Sequence, residues 1–212
     1  MSWSDDAWST ITDIYDRILH LPFLTEMAMG TLPRPTFDFY IRQDDLYLDD
    51  YTRVLAHIAS RLKDLEHVET FLGFAANAVA MERGMHAQYV SDSASEKTPE
   101  CELYSSFLKA QAYENVAVEA ASILPCFWVY QRVGEHVLAT ARMEGNPYAA
   151  WIEAYSDPSF DEGTRRCLEI VNSLADSASE QTRRQMTHVF RQATRMEWLF
   201  WDSAYRHSQW PV

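Results

Sequence analysis

Glycine is scarce in this chain, with six in 212 residues. No run of alternating apolar and polar residues lies between NG or DG turns, which argues against a sheet. Basic residues are short as well: 18 Lys and Arg against 31 Asp and Glu give a net charge of -13. That balance leaves no electrostatic footprint for DNA, RNA or an anionic membrane, and a small or neutral ligand fits it better. Only three cysteines occur, Cys101, Cys126 and Cys167. They are odd in number, far apart and in no CxxC or CxxH pattern, as suits free thiols in a reducing compartment. No stretch approaches the ~18 consecutive apolar residues of a membrane span. The opening segment MSWSDDAWSTITDIYDRIL carries acids where an export signal would carry Lys or Arg, so a cytoplasmic location is expected.

Aromatic residues are abundant: seven Trp, ten Phe and eleven Tyr. Tyr and Trp join apolar bulk to a polar tip, so an aromatic core can still offer hydrogen bonds to a ligand. The length suits one domain, residues 1–212, with a closed core. Helical spacing recurs throughout, as in Leu65, Val68, Leu72, Ala75 and Val79, which step by three and four. The pattern predicts helices over about 5–19, 35–62, 65–90, 99–115, 117–142, 146–156, 159–176 and 179–207. The breaks between them carry Pro22, Gly30, Pro33 and Pro35, the polar run SDSASEKTPE at 91–100, GNP at 145–147 and Asp157 with Pro158. The predicted architecture is all-α, a single helical bundle.

In a bundle, sites are made from polar side chains that point inward from facing helices. Asp44 lies on the stripe Tyr40, Asp44, Tyr47, Tyr51, Leu55, Ile58, Leu62, whereas Asp45, Asp49 and Asp50 fall on other faces and read as solvated. Glu197 lies on the stripe Met186, Phe190, Ala193, Glu197, Phe200 or Trp201, Ala204. Each acid is either a proton carrier with a raised pKa or a seam residue paired to an Arg or Tyr. Cys126 shares a face with Tyr130 in LPCFWVYQRVG, 124–134. A lone Cys is commonly a small buried filler. Pro125 opens the alternative, because a helix break or N-terminus beside a thiol lowers its pKa. Cys101 and Cys167 read as structural. Glu82 and His86 are four apart, but the chain contains no Glu-x-x-His, so a metal site is not expected and the two form a supporting polar pair. His20 ends the first predicted helix, where it caps carbonyls or, in a ligand-binding reading, serves as a haem ligand.

Taken in order, HLPFLTEMAMGTLPRPTFDFYIRQDDLYLDDYTRVLA (20–56), MERGMH (81–86), LPCFWVY (124–130), NPYAAWIEAYSDPSF (146–160) and MEWLFWDSAY (196–205) resemble the TenA family, thiaminase II. The resemblance runs over nearly the whole chain and is weakest from about 92 to 117. It implies a haem-oxygenase-like bundle, a homotetramer without metal or organic cofactor. The activity it implies is hydrolysis of thiamin-derived aminopyrimidines: 4-amino-5-aminomethyl-2-methylpyrimidine to the hydroxymethyl compound and ammonia, with thiamin cleavage also within reach.

Motif by motif, the family's nucleophilic cysteine in PC-x-W-x-Y falls on Cys126 and that motif's tyrosine on Tyr130. The aspartate of QD-x-x-YL, which binds the amidine-like edge of the pyrimidine, falls on Asp44, and the stacking aromatic on Tyr47. The acid of E-x-x-FW, a proton carrier at the ring, falls on Glu197. Further pocket tyrosines fall on Tyr113 and Tyr155. One branch of the family replaces the cysteine by a glutamate; Cys126 places this chain with the cysteine branch. The rival readings are a non-catalytic haem- or small-ligand-binding bundle and a regulatory interaction protein, since one fold hosts unrelated functions.

Overall fold

The computed structural model describes the backbone of residues 2–89, 96–155 and 157–212, with side chains for all of these except 81–89. The described residues form α1 (Trp3–Ser9), α2 (Thr12–Leu19), α3 (Pro22–Met29), α4 (Arg34–Arg61), α5 (Leu65–Tyr89) and α6 (Pro99–Ala110). A 3-10 turn at Gln111–Tyr113 follows, then α7 (Val116–Ser122), α8 (Leu124–Thr140), α9 (Ala149–Tyr155), α10 (Pro158–Asp176) and α11 (Glu180–Arg206). No strand occurs among the described residues, and no helix there is long and apolar enough to cross a membrane.

Local chemistry sets the ends. Thr98, Asn115, Asp157 and Ser179 each cap a helix by accepting a backbone N–H from its first turn. Pro22, Pro35, Pro99, Pro125 and Pro158 occupy first-turn positions, where the missing N–H costs nothing. Gly30 ends α3 at φ 70, a left-handed conformation that a Cβ would strain.

Three differences from the sequence pattern have physical causes. The first predicted helix is two, because at the junction the Thr10 hydroxyl takes the carbonyl of Ala7 at 2.7 Å. The first long connection contains the extra helix α3, a two-turn element started by proline and stopped by glycine. The predicted helix 117–142 is broken at Ile123, because Pro125 cannot donate to Ala121 and its ring crowds that carbonyl. The Tyr51 hydroxyl donates to the Ile123 carbonyl at 3.0 Å, which ties the break to α4.

The α5 stripe read from spacing is also corrected. Leu65 and Leu72 are exposed, while Phe71, Ala75 and Ala78 face the core. Apolar residues occur on several faces of this helix, so spacing alone does not phase it.

α11 runs through the middle of the bundle against α2, α4, α6, α7 and α8, and α4 packs along α5. All the residues of the predicted α4 and α11 stripes are buried. Asp50, expected to be solvated, is instead half-buried between Lys97 and Lys109 and links α4 to α6. Glu119 on α7 is buried and accepts from Arg61 and from His57 Nδ1, the latter at 2.7 Å, which ties α7 to α4. Paired in this way, the buried carboxylate keeps the partners its burial demands.

Candidate active site

A cavity of about 750 Å³ opens between α4, α5, α8, α9 and α10. Its inner end is lined by Asp44, Tyr51, Cys126, Tyr130 and Tyr155, and its outer end includes Asn77, Glu153, Ser159 and Phe160. The size and the mix of aromatic walls with a few polar groups suit a small organic ligand.

Each inner residue is placed by its helix. Cys126 sits in the first turn of α8, and Tyr130 follows one turn later on the same face. Asp44 and Tyr51 lie on the core face of α4, and Tyr155 is the last residue of α9. The Tyr130 ring packs on Tyr155 and Trp201 with centroids 5.2 and 4.6 Å apart, and Tyr155 packs on Trp151 at 4.4 Å. These contacts hold an aromatic wall upright beside the thiol. Tyr47 and Glu197 lie deeper than the open volume. Tyr47 packs between Tyr51 and Tyr104, and Glu197, 1% exposed, accepts from the Tyr104 hydroxyl at 2.7 Å.

The electrostatics are unusual for carboxylates. Burial raises the pKa of Glu197 to about 8; the Tyr104 hydrogen bond opposes the shift and the Asp44 charge adds to it. Burial, with the neighbouring Asp45 charge, raises Asp44 to about 7, and its Oδ2 is buried without a hydrogen-bond partner. Such an orphaned buried oxygen costs stability and is a ready acceptor for a ligand N–H.

Both acids therefore exchange protons near neutrality, the range in which proton carriers work best. The sequence leaves open whether Pro125 lowers the Cys126 pKa or merely bends the helix, and the surroundings of the thiol act in the opposite direction. Burial, then the charges of Glu197 and Asp44, push the thiol well above its usual value, and the nearby Tyr47 and Tyr51 hydroxyls only partly oppose them. Cys126 is half-buried because it faces the cavity, whereas Cys101 and Cys167 are fully buried and their thiols are pushed up by burial.

Asp44, Tyr47, Cys126, Tyr130, Tyr155 and Glu197 are thus brought together. Tyr113 is not: it lies on the 3-10 turn, 94% exposed and away from the cavity. The tyrosine from this region that reaches the site is Tyr104, on the α6 stripe Cys101, Tyr104, Ser105, Leu108, all buried. That i, i+3, i+4, i+7 spacing was the available signal. Tyr51 was visible on the Asp44 stripe without an assigned role. The side chains of Glu82 and His86 lie outside the described residues. His20 is 75% exposed, with Nδ1 2.7 Å from the Asp16 carbonyl, so it caps α2 and does not face the cavity.

The raised acids make stability depend on pH. Their unfolded values near 4 lie below their folded values of about 7 and 8, so between these limits the folded chain holds protons that the unfolded chain has lost. Their contribution to stability therefore falls as pH rises from about 5 to 8 and levels off above. Carboxyls held low, such as Asp13 and Asp157, finish titrating below this window. Thermal melts of the ligand-free protein should show a falling midpoint across that window, with a shallower fall in Asp44→Asn.

Fold and cavity define an all-α bundle in which a thiol, two acids and several tyrosines meet at the end of an aromatic pocket. The chain belongs to the TENA/THI-4/PQQC family, whose profile matches residues 8–207. It is 32% identical over 202 residues to the thiamine biosynthesis multifunctional protein ThiED of Corynebacterium glutamicum, covering 94% of this chain and 26% of that protein. The chain thus spans about a quarter of that relative's length. It is 27% identical over 220 residues to the aminopyrimidine aminohydrolase of Bacillus subtilis, covering 99% of this chain and 92% of that one.

Among solved structures, the TenA homologue of P. horikoshii OT3 superposes with a TM-score of 0.86 at 25% identity, covering 97% of this chain and 99% of that one. A domain from Shewanella denitrificans with a heme oxygenase-like fold superposes at 0.75 with 15% identity, covering 96% and 92%. The architecture is haem-oxygenase-like.

Proposed function

We propose that this protein hydrolyses thiamin-derived aminopyrimidines, converting 4-amino-5-aminomethyl-2-methylpyrimidine and water to the 5-hydroxymethyl compound and ammonia. The observation that carries the reading is the meeting of the Cys126 thiol with Asp44 and Glu197, two acids whose pKa values stand near neutrality, at the end of an aromatic cavity. Similarity to a protein named for this activity supports it.

The chemistry assigns a task to each group. Asp44 offers its unpartnered oxygen to the 4-amino edge of the ring, while Tyr130 and Tyr155 wall its face. The Cys126 sulfur bonds to ring carbon C6 as the adjacent ring nitrogen gains a proton from Glu197, and the thiol proton passes to the carboxylate so formed. The electron-rich ring then expels the amine, protonated as an ammonium substituent, from the 5-methylene as ammonia. Water adds at that methylene and gives up one proton, which replaces the one carried off with ammonia; the C–S bond breaks, and the proton lost by the ring nitrogen restores the thiol. Because attack and protonation are coupled, the site need not hold a free thiolate, which agrees with a thiol that burial and the charges of Glu197 and Asp44 push up. The outer cavity leaves space for the group on the methylene to depart.

Turnover in H₂¹⁸O should give one ammonia per hydroxymethylpyrimidine and one solvent oxygen in that product. A product without solvent oxygen, or no turnover of the aminomethyl substrate, would sink the reading.

Free thiols agree with a cytoplasmic setting, and the exposed Leu65 and Leu72 on α5 offer apolar surface for a homotetramer. Light scattering should return four times the 24.5 kDa chain mass, and a monomer would contradict the assembly.

A further inference from the structure

Cys126, Tyr130 and Gly134 lie at i, i+4 and i+8 on α8, one above another on a single face. The first two line the cavity, and the third has no part in the chemistry above. A Cβ built on Gly134 would stand 2.8 Å from the carbonyl carbon of Tyr155, 3.0 Å from its Cβ and closer still to its carbonyl oxygen. Two of these are backbone atoms, so no rotamer change relieves the clash; the end of α9 would have to move.

α9 is short and forms one wall of the cavity through Ala150, Glu153, Ala154 and Tyr155. Its N-terminal approach is pinned by Asn146, whose Nδ2 donates to the carbonyls of Met27 and Ala28 at 3.0 and 3.1 Å. Its C-terminal end meets α8 at Gly134, and there Tyr155 packs on Tyr130 and, edge-on at 5.4 Å, on Phe160.

We infer that Gly134 is a positioning residue for substrate binding: the missing side chain lets α9 close on α8, which sets the Tyr155 ring beside Tyr130 as the second wall of the ring pocket. The inference rests on the aminopyrimidine reading for its ligand and on geometry alone for the role of the glycine. Displacing Tyr155 loosens the wall without touching Cys126, Asp44 or Glu197, so binding suffers more than chemistry. The loss of one well-placed aromatic contact corresponds to about tenfold in affinity.

The test compares wild type, Gly134→Ala, Tyr155→Ala and the double variant by kcat, by KM for the aminomethylpyrimidine and by calorimetric Kd for the hydroxymethyl product. Circular dichroism confirms that each is folded. Gly134→Ala is expected to raise KM and Kd about tenfold with a smaller effect on kcat, Tyr155→Ala to raise KM and Kd at least as much, and the double variant to be no worse than Tyr155→Ala. Fully additive losses, or a Gly134→Ala protein that is folded with wild-type KM and Kd, would overturn the inference. Should Gly134→Ala fail to fold, Tyr155→Ala decides: a raised Kd supports the inference and a wild-type Kd overturns it. A wild-type protein that neither binds nor turns over the pyrimidine refutes the functional reading instead, a separate outcome.

Discussion

Cys126→Ala is expected to abolish ammonia release, lowering kcat/KM by about 10⁴-fold or more, as removal of a nucleophile does. Cys126→Ser should do nearly the same, because a hydroxyl at its ordinary pKa is a far weaker nucleophile than sulfur. The fold should survive either change, since Cys126 faces the cavity and its only close polar neighbours among the described residues are the Tyr47 and Tyr51 hydroxyls of α4, which the aromatic packing around them also holds. Binding should survive too. Asp44, Tyr130 and Tyr155 remain in place, so the hydroxymethyl product should bind within about threefold of wild type, the pattern expected when a group acts in the transition state alone. A filler thiol would show the reverse: near-normal turnover with a small loss of stability.

Glu197→Gln should lower kcat by about 10²- to 10⁴-fold with the bundle intact. The glutamine keeps an oxygen for the Tyr104 hydroxyl, so the buried hydrogen bond at this point of α11 persists. The pH profile separates an acid–base role from a structural one. Glu197 at about 8 and Asp44 at about 7 repel each other and titrate as a coupled pair. In wild type the protonated acid supplies the ring, so kcat/KM should fall as pH rises past the upper value. In Glu197→Gln that alkaline fall should vanish from the residual activity. With the largest charge acting on Cys126 gone, the thiol should also ionise at lower pH and alkylate faster. An unchanged profile would remove Glu197 from the chemistry.

What the sequence shows of this arrangement follows from helical periodicity. On α4 and α11 the apolar residues form one stripe, so a polar residue within it is marked as inward-facing, as Asp44 and Glu197 are. On α5 apolar side chains lie on several faces, so spacing puts Leu65 and Leu72 on the core face although both are exposed. Pro125 marks a local disturbance in the sequence because proline acts locally, yet the spacing runs the predicted helix 117–142 through it and the full break at Ile123 appears only in the fold. The state of the thiol is not legible in the sequence, because that depends on two carboxylates brought in from other helices and on the water they exclude. Tyr113 and Tyr104 make the same point. Tyr104 lies mid-way along α6 and Tyr113 beyond its end; spacing marks Tyr104 as inward-facing, and the packing of α6 against α4 and α11 is what brings it to the site. Gly134 stands in the same motif as Cys126, yet its close approach to Tyr155 appears only once α9 has folded back onto α8.

The central claim is that Cys126, worked by Asp44 and Glu197, cleaves the amine from the aminopyrimidine. Ammonia release from 4-amino-5-aminomethyl-2-methylpyrimidine, measured side by side for wild type and Cys126→Ala, tests it most directly. The account predicts sustained release by wild type and none above background by a folded, product-binding Cys126→Ala. Comparable release by the two proteins would contradict it.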